Sequence, residues 1–156
     1  MKKSNKDKIK IRKAKKSDSK IFLKLVDELA AFEKLNPPDK KGKKQLLKAA
    51  FSQNPKIKIL ISECGSKITG YAIYFFTYSS FKASRTLYLE DIFILEEFRN
   101  RGTGKLFFKK LLNIAKKNKC GRMEWVVLDW NENALNFYDK LGAIELSDWK
   151  TFRINL

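Results

Sequence analysis

The chain has 156 residues, 44% of them hydrophobic and 13% aromatic. That is enough apolar material for a single domain spanning 1–156, burying roughly 68–70% of its unfolded surface without metals or disulfides. Its 34 basic residues against 17 acidic ones give a formal charge of +17, and the absence of histidine excludes Ser–His and Cys–His catalysis and His-ligated zinc. Cys64 and Cys120 are too few for a disulfide framework and lack metal-ligand spacing, so reduced intracellular thiols and no metal are expected. The charged N-terminus has no apolar signal core, and no apolar run reaches the ~18 residues that a membrane span needs. A cytoplasmic protein without membrane contact is therefore expected, with residues 1–7 as a disordered basic tail. The charge alone points to nucleic acid. However, the densest runs, KKSNKDKIKIRKAKK and DKKGKK, fall at a terminus and in a loop and are not interleaved with aromatics on one face. A lysine-rich solvated surface is the simpler reading, so no nucleic-acid partner is expected, and a basic nucleic-acid-binding module is kept as a rival of another class.

Lys8–Lys13 alternates as a first strand. Ser17 or Asp18 caps a helix whose apolar face is Phe22, Leu25, Val26, Leu29 and Ala30, ending before Pro37-Pro38. A second helix covers Lys43–Phe51, with Leu46, Leu47 and Ala50 on its apolar side. Three strands follow, Ile57–Glu63, Ile68–Tyr78 and Thr86–Leu95, the first two joined by the short turn CGSK. GYAIYFFTY is apolar on both alternating faces, the pattern of an interior strand covered on both sides. The run KLFFKKLLNIAKK predicts a helix burying Phe107 or Phe108, Leu111, Leu112 and Ala115. MEWVVLDW predicts a strand, Ala134–Leu141 a short helix closed by Gly142 in the left-handed region, and WKTFRINL a last strand. The order βααβββαβαβ is that of an α/β domain.

The most informative stretch is RNRGTG, Arg99–Gly104, between the strand-like LYLEDIFIL and the helix KLFFKKLLNIAKK. A strand, a glycine turn and a helix in that order present free backbone N–H groups and a positive dipole end to an anion. Arg99 and Arg101 add charge beside the turn. A dinucleotide fingerprint fails for want of the third glycine and the following acid, and a P-loop fails for want of Gly-Lys-Ser/Thr. By itself the G-x-G pair is as compatible with a purely conformational turn as with a phosphate site.

R-x-x-G-x-G in this setting resembles the acyl-CoA pyrophosphate loop of GNAT-superfamily N-acetyltransferases, and NENALNFYDKLGA at 131–143 is similar to that superfamily's second signature. DELAAFEK at 27–34, YFFTYSSF at 74–81, YLEDIFI at 88–94 and LDWNENALNFY at 128–138 resemble the diamine (spermidine/spermine) and thialysine acetyltransferase family. The resemblance implies a GNAT acyl-CoA N-acyltransferase fold, α/β with a mixed, mostly antiparallel twisted sheet flanked by helices. It implies acetyl-CoA as cosubstrate, a homodimer, and direct acetyl transfer to a primary amine of a small cationic acceptor such as a polyamine, a diamine or a lysine-like amino acid. A protein N-terminus or lysine is the alternative acceptor within the same fold.

The resemblance also implies roles. Arg99, Asn100, Arg101, Gly102, Thr103, Gly104 and Lys105 would hold the pyrophosphate, and Ile92, Phe93 and Ile94 would run beside the pantetheine. Asn131, Asn133, Ala134 and Tyr138 would line the CoA groove; Asn131 and Tyr138, seven residues or two helical turns apart, are expected on one face. Tyr138, a phenol with an ordinary pKa of about 10, would protonate the departing thiolate. Glu90 and Asp91 are adjacent carboxylates in an apolar strand; alternation sends them to opposite faces, and a bulge or a salt bridge to one of the 34 basic residues is the purely structural alternative. Glu90 would take up the amine's proton through water, while Phe32, Glu33, Glu90, Asp91 and Asp129 would form the amine site. Two departures stand out: Leu141 occupies a position where the family commonly has a basic residue, and the segment ELSDW after Ala143 is shorter.

Overall fold

A computed structural model describes residues 8–156; the expected basic tail at 1–7 lies outside the described residues. The chain forms two compact units, the first ending at Trp125 and the second running Val126–Leu156.

The first unit is built on strands β1 (Ile9–Lys13), β2 (Lys58–Cys64), β3 (Lys67–Ser79), β4 (Ser84–Ile94) and β5 (Cys120–Glu124), in spatial order β1-β2-β3-β4-β5. The first four pair antiparallel and β5 joins β4 in parallel, which makes the expected mixed, mostly antiparallel sheet. The central strand β3 is buried from Thr69 to Tyr74, as its two-faced apolar pattern requires, and becomes exposed at Thr77 and Tyr78. Helix α1 (Ser19–Phe32) lays Phe22, Leu25, Val26 and Leu29 onto the sheet, where Phe22 meets Tyr71 edge to face at 5.2 Å. Helix α2 (Lys40–Phe51) contributes Leu46, Leu47 and Ala50 to the margin of that core. Helix α3 (Thr103–Lys117) buries both Phe107 and Phe108, with Leu111 and Ala115, and Phe108 packs edge-on against Trp125 at 5.2 Å.

Several expectations need correction. Leu112 is 45% exposed because the inward stripe of α3 is centred near Leu111, leaving Leu112 on its flank. Asp18 makes no side-chain cap of α1. Its carboxylate instead accepts the backbone N–H of Lys15 at 2.7 Å and two guanidinium N–H groups of Arg12 at 2.7 and 3.1 Å, closing a 3-10 turn over Lys16–Asp18. The guanidinium holds this carboxyl below its ordinary range, against the opposing effect of burial. The strand read in MEWVVLDW begins earlier and stops at Glu124, because its pairing with β4 ends at Tyr88↔Glu124.

In the second unit, α4 (Glu132–Lys140) is the helix expected over Ala134–Leu141, and Gly142 follows at φ 76°, in the left-handed region. WKTFRINL forms no strand: a strand needs a backbone partner, and none of the described ladders includes residues 149–156.

Candidate active site

The glycine turn begins after a 3-10 turn over Glu96–Phe98. Asn100 (φ 58°) and Gly102 (φ 82°) lie in the left-handed region, and Gly102 is the N-cap of α3. A Cβ at Gly102 would meet nothing within 4 Å, so the backbone angle, not crowding inside the chain, favours glycine there. The first helical bond of α3 runs from Leu106 N–H to Gly102 C=O at 3.1 Å, so the N–H groups of Thr103, Gly104 and Lys105 precede the ladder. No side chain caps this end. The Thr103 hydroxyl donates to Phe98 C=O at 3.1 Å and fixes the loop from below, while Arg101 and Lys105 are exposed beside it. These features suit a pyrophosphate.

Arg99 turns elsewhere. Its Nε donates to Ile94 C=O at 2.9 Å, and its guanidinium lies 5.0 Å from the Phe32 ring and 5.7 Å from Phe93. It ties the end of α1 to the end of β4, a role that its place in the R-x-x-G-x-G pattern did not reveal.

Strand β4 pairs with β3 as far as Ile94 but with β5 only as far as Tyr88. The stretch holding Ile92, Phe93 and Ile94 therefore presents one strand edge with no partner strand among the described residues. Such an edge can hydrogen-bond an extended amide-bearing ligand, as pantetheine is.

Glu90 and Asp91 do not follow strict alternation. Asp91 pairs with Ile73 and Leu89 with Tyr74, so Glu90 is the extra residue of a β-bulge. Glu90 is exposed and Asp91 half-buried. Tyr71, fully buried on β3, donates its hydroxyl to Asp91 Oδ2 in a long hydrogen bond of 3.4 Å. Glu33, the C-cap residue of α1, completes the group. Burial first, then the charges of Glu90 and Glu33, push the Asp91 carboxyl up to about 6, against the Tyr71 hydrogen bond. Burial also raises Glu33, and burial together with Asp91 and Glu33 strongly raises the Tyr71 phenol. Among the described residues no basic side chain forms an ion pair with Glu33, Glu90 or Asp91, although bases outnumber acids two to one in this chain. Phe32, 37% exposed, stands next to Glu33.

In the second unit, Asn131 has non-helical angles (φ −83°, ψ 67°), and its side chain accepts the Ala134 N–H at 3.2 Å. It is the N-cap of α4, so the two-turn spacing to Tyr138 does not put both on one helical face; an Asn just before an apolar helix carries that signal in sequence. Asn133 and Asp129 are exposed, Ala134 and Tyr138 half-buried, and the Tyr138 ring lies 5.6 Å from Phe137. Among the described residues there is no group of three His, Cys, Asp or Glu side chains that could hold a metal, and no helix long and apolar enough to cross a membrane.

Residues 23–143 match the model of the acetyltransferase (GNAT) family. The chain is 36% identical over 154 residues to the thialysine N-epsilon-acetyltransferase of Mus musculus, covering 92% of this chain and 90% of the relative. It is 33% identical over 165 residues to the human spermidine/spermine N(1)-acetyltransferase-like protein 1, covering 99% of this chain and 24% of that longer protein. Among solved structures, a possible acetyltransferase from Clostridium difficile 630 superposes with a TM-score of 0.81 at 22% identity, covering 95% of this chain and 97% of that one.

The Asp91 carboxyl, near 3.8 in an unfolded chain and about 6 in the folded one, makes a stability prediction. The native state binds this proton more tightly, so the contribution of Asp91 to stability becomes more favourable as pH falls from 7 towards 4. Asp91→Asn should stabilise the protein by about 2–3 kcal/mol at pH 7.5, with the gain shrinking through pH 6 and gone below about pH 4. Urea unfolding across that range measures it; a pH-independent difference would refute the burial of this charge.

Proposed function

This chain belongs to the acetyltransferase (GNAT) family, and on that premise we propose that it acetylates a primary amine of a small cationic acceptor, a polyamine, a diamine or a lysine-like amino acid, by direct attack in a ternary complex. It is an acetyltransferase acting on amines, and enzymes of this family take the acetyl group from acetyl-CoA. The observation that carries the acceptor class is the set of carboxylates Glu33, Glu90 and Asp91, without a basic partner among the described residues of a strongly basic chain. Carboxylates without an ion-pair partner among the described residues offer their field to an external cation. The names of the two relatives, one for thialysine and one for spermidine/spermine, agree with such an acceptor.

In this reading the N–H groups of Thr103, Gly104 and Lys105, with Arg101 beside them, hold the pyrophosphate, and Asn100 and Gly102 shape the turn. The unpaired edge at Ile92, Phe93 and Ile94 hydrogen-bonds the pantetheine, and a backbone N–H there polarises the thioester carbonyl. When bound, acetyl-CoA supplies that electrophilic carbonyl and a thiolate leaving group. Phe32 and Glu33 orient the acceptor, with Asp129 as a further acidic contact, and the carboxylate group takes the ammonium proton. The amine lone pair forms the new C–N bond, the C–S bond breaks with its electron pair going to sulfur, Tyr138 protonates the sulfur, and the second N–H proton, released through solvent as the amide forms, restores the phenol. Asn131 orders α4 as its cap, while Asn133 and Ala134 flank the CoA groove. We read the chain as a single acetyltransferase domain that works as a cytoplasmic homodimer.

The direct test is CoA thiol release with a panel of amines. Diamines and lysine-like amino acids should exceed monoamines of equal length, and no amine-dependent release from any acceptor would overturn the reading. Gly104→Val adds bulk where the backbone meets phosphate without lowering helix propensity. It should weaken acetyl-CoA binding by calorimetry at least about tenfold, near 1.4 kcal/mol, in a folded protein; undiminished affinity would refute the loop assignment. Tyr138→Phe keeps the ring and removes the acid, so kcat should fall by about 10²–10⁴-fold with little change in acetyl-CoA affinity. A lowered melting temperature with normal kcat would reassign Tyr138 to packing.

A further inference from the structure

We propose that Arg99 is a positioning residue for acetyl transfer: its side chain closes one carbonyl on the free edge of β4 and holds the Phe32 ring, and so sets where the thioester lies against the acceptor. The proposal rests on the acetyltransferase reading above, and it takes Arg99 out of the pyrophosphate contacts that its place in R-x-x-G-x-G implies.

The backbone of β4 decides which groups its free edge offers. Leu95 N–H donates to Thr69 C=O at 2.9 Å, so at Leu95 the backbone is turned towards β3. Along an antiparallel ladder, hydrogen-bonded and non-hydrogen-bonded pairs alternate. Phe93, opposite Tyr71, therefore also directs its N–H and C=O to β3. Ile92, opposite Ala72, and Ile94, opposite Gly70, direct theirs to the edge that β5 leaves bare. One of these edge groups, Ile94 C=O, accepts the Arg99 Nε–H at 2.9 Å. An extended amide-bearing ligand is left Ile92 N–H, Ile92 C=O and Ile94 N–H, which fixes its register along the strand.

The same guanidinium reaches α1. It lies 5.7 Å from the buried Phe93 ring and 5.0 Å from the ring of Phe32, the half-exposed neighbour of Glu33. No ion pair among the described residues involves Arg99, so two rings and one carbonyl hold it. Arg101 and Lys105, exposed beside the first N–H groups of α3, remain as the cations for phosphate. One planar side chain thus touches the strand edge that receives the cosubstrate and the helix end that orients the acceptor. Bringing reacting atoms within attack distance depends on exactly such supports, and a displacement of about 1 Å can cost about 10²-fold in rate.

The test compares wild type, Arg99→Lys, Arg99→Gln and Arg101→Gln. Acetyl-CoA affinity is measured by calorimetry. Values of kcat and KM are measured with the best amine of the panel, using acetyl-CoA and then S-acetylpantetheine, which has no pyrophosphate. Both Arg99 variants should lose about 10²-fold in kcat with either thioester. Their acetyl-CoA affinity should change by less than about threefold. Lysine should not rescue, because it keeps the charge without the planar fork. Arg101→Gln should show the reverse, weaker acetyl-CoA binding with kcat retained at saturation. Three results would overturn the proposal: acetyl-CoA affinity lost in Arg99→Gln and restored in Arg99→Lys, a rate defect that vanishes with S-acetylpantetheine, or a lowered melting temperature with normal kcat. In each of these, amine-dependent thiol release by wild type would still uphold the acetyltransferase reading. No release by wild type with any amine would overturn both.

Discussion

Strand β4 is paired on both edges up to Tyr88 and on one edge thereafter, and most of the site in the first unit depends on that change. A strand inside a sheet has all its N–H and C=O groups committed to neighbours, so it can offer a ligand only side chains. Once β5 ends at Glu124, the Leu89–Ile94 stretch keeps its antiparallel hold on β3 and has an edge without a partner strand among the described residues, where Ile94 C=O accepts from Arg99. The bulge at Glu90 falls where this begins. One extra residue resets the alternation, so that two adjacent carboxylates take different environments, one exposed and one half-buried. Rigidity comes from β3, whose buried residues Tyr71 and Ile73 face Phe93 and Asp91 across the ladder.

Electrostatics here is a matter of local exclusion. A formal charge of +17 repels polycations at long range. Yet at physiological salt the screening length is about 8 Å, so charges farther than that from the carboxylates contribute little to what an approaching amine feels. What counts is the absence of basic partners beside Glu33, Glu90 and Asp91 among the described residues. The acidic residues that do meet a base, among them Asp18, Asp27, Glu63 and Glu97, lie in the 3-10 turn after β1, on α1, on β2 and in the turn before the glycine loop. The half-buried Asp91 carboxyl, beside the like charges of Glu90 and Glu33, costs stability while it is ionised.

Much of this was legible in the chain itself. The two-faced apolar run around Tyr71 marked an interior strand, and α1 and α3 followed their three- and four-residue spacings. The left-handed residue at Gly142 and the helix start after Gly102 followed from glycine chemistry. What escaped were features set by pairing between distant segments. Two adjacent carboxylates in YLEDIFI admitted a bulge as readily as alternation, and only the register with β3, where Ile73 and Tyr74 face Asp91 and Leu89, decides for the bulge at Glu90. The end of β5 is likewise decided by β4, because MEWVVLDW has the composition of a strand well beyond Glu124. WKTFRINL has strand composition too, but it lacks a pairing partner among the described residues.

Arg99 shows why a motif position does not give a role. In the sequence it stands at the head of the glycine turn, where its charge invites assignment to phosphate. In the fold its planar cation lies over Phe32 and Phe93, and its Nε holds the carbonyl of Ile94. A lysine would keep the charge, but its ammonium could not offer the flat face that stacks on rings while one N–H reaches a carbonyl. Through this one side chain, the end of α1 carrying Phe32 and Glu33 is bound to the last residues of β4 and to the start of the glycine turn. In the proposed reaction these are the acceptor side and the cosubstrate side.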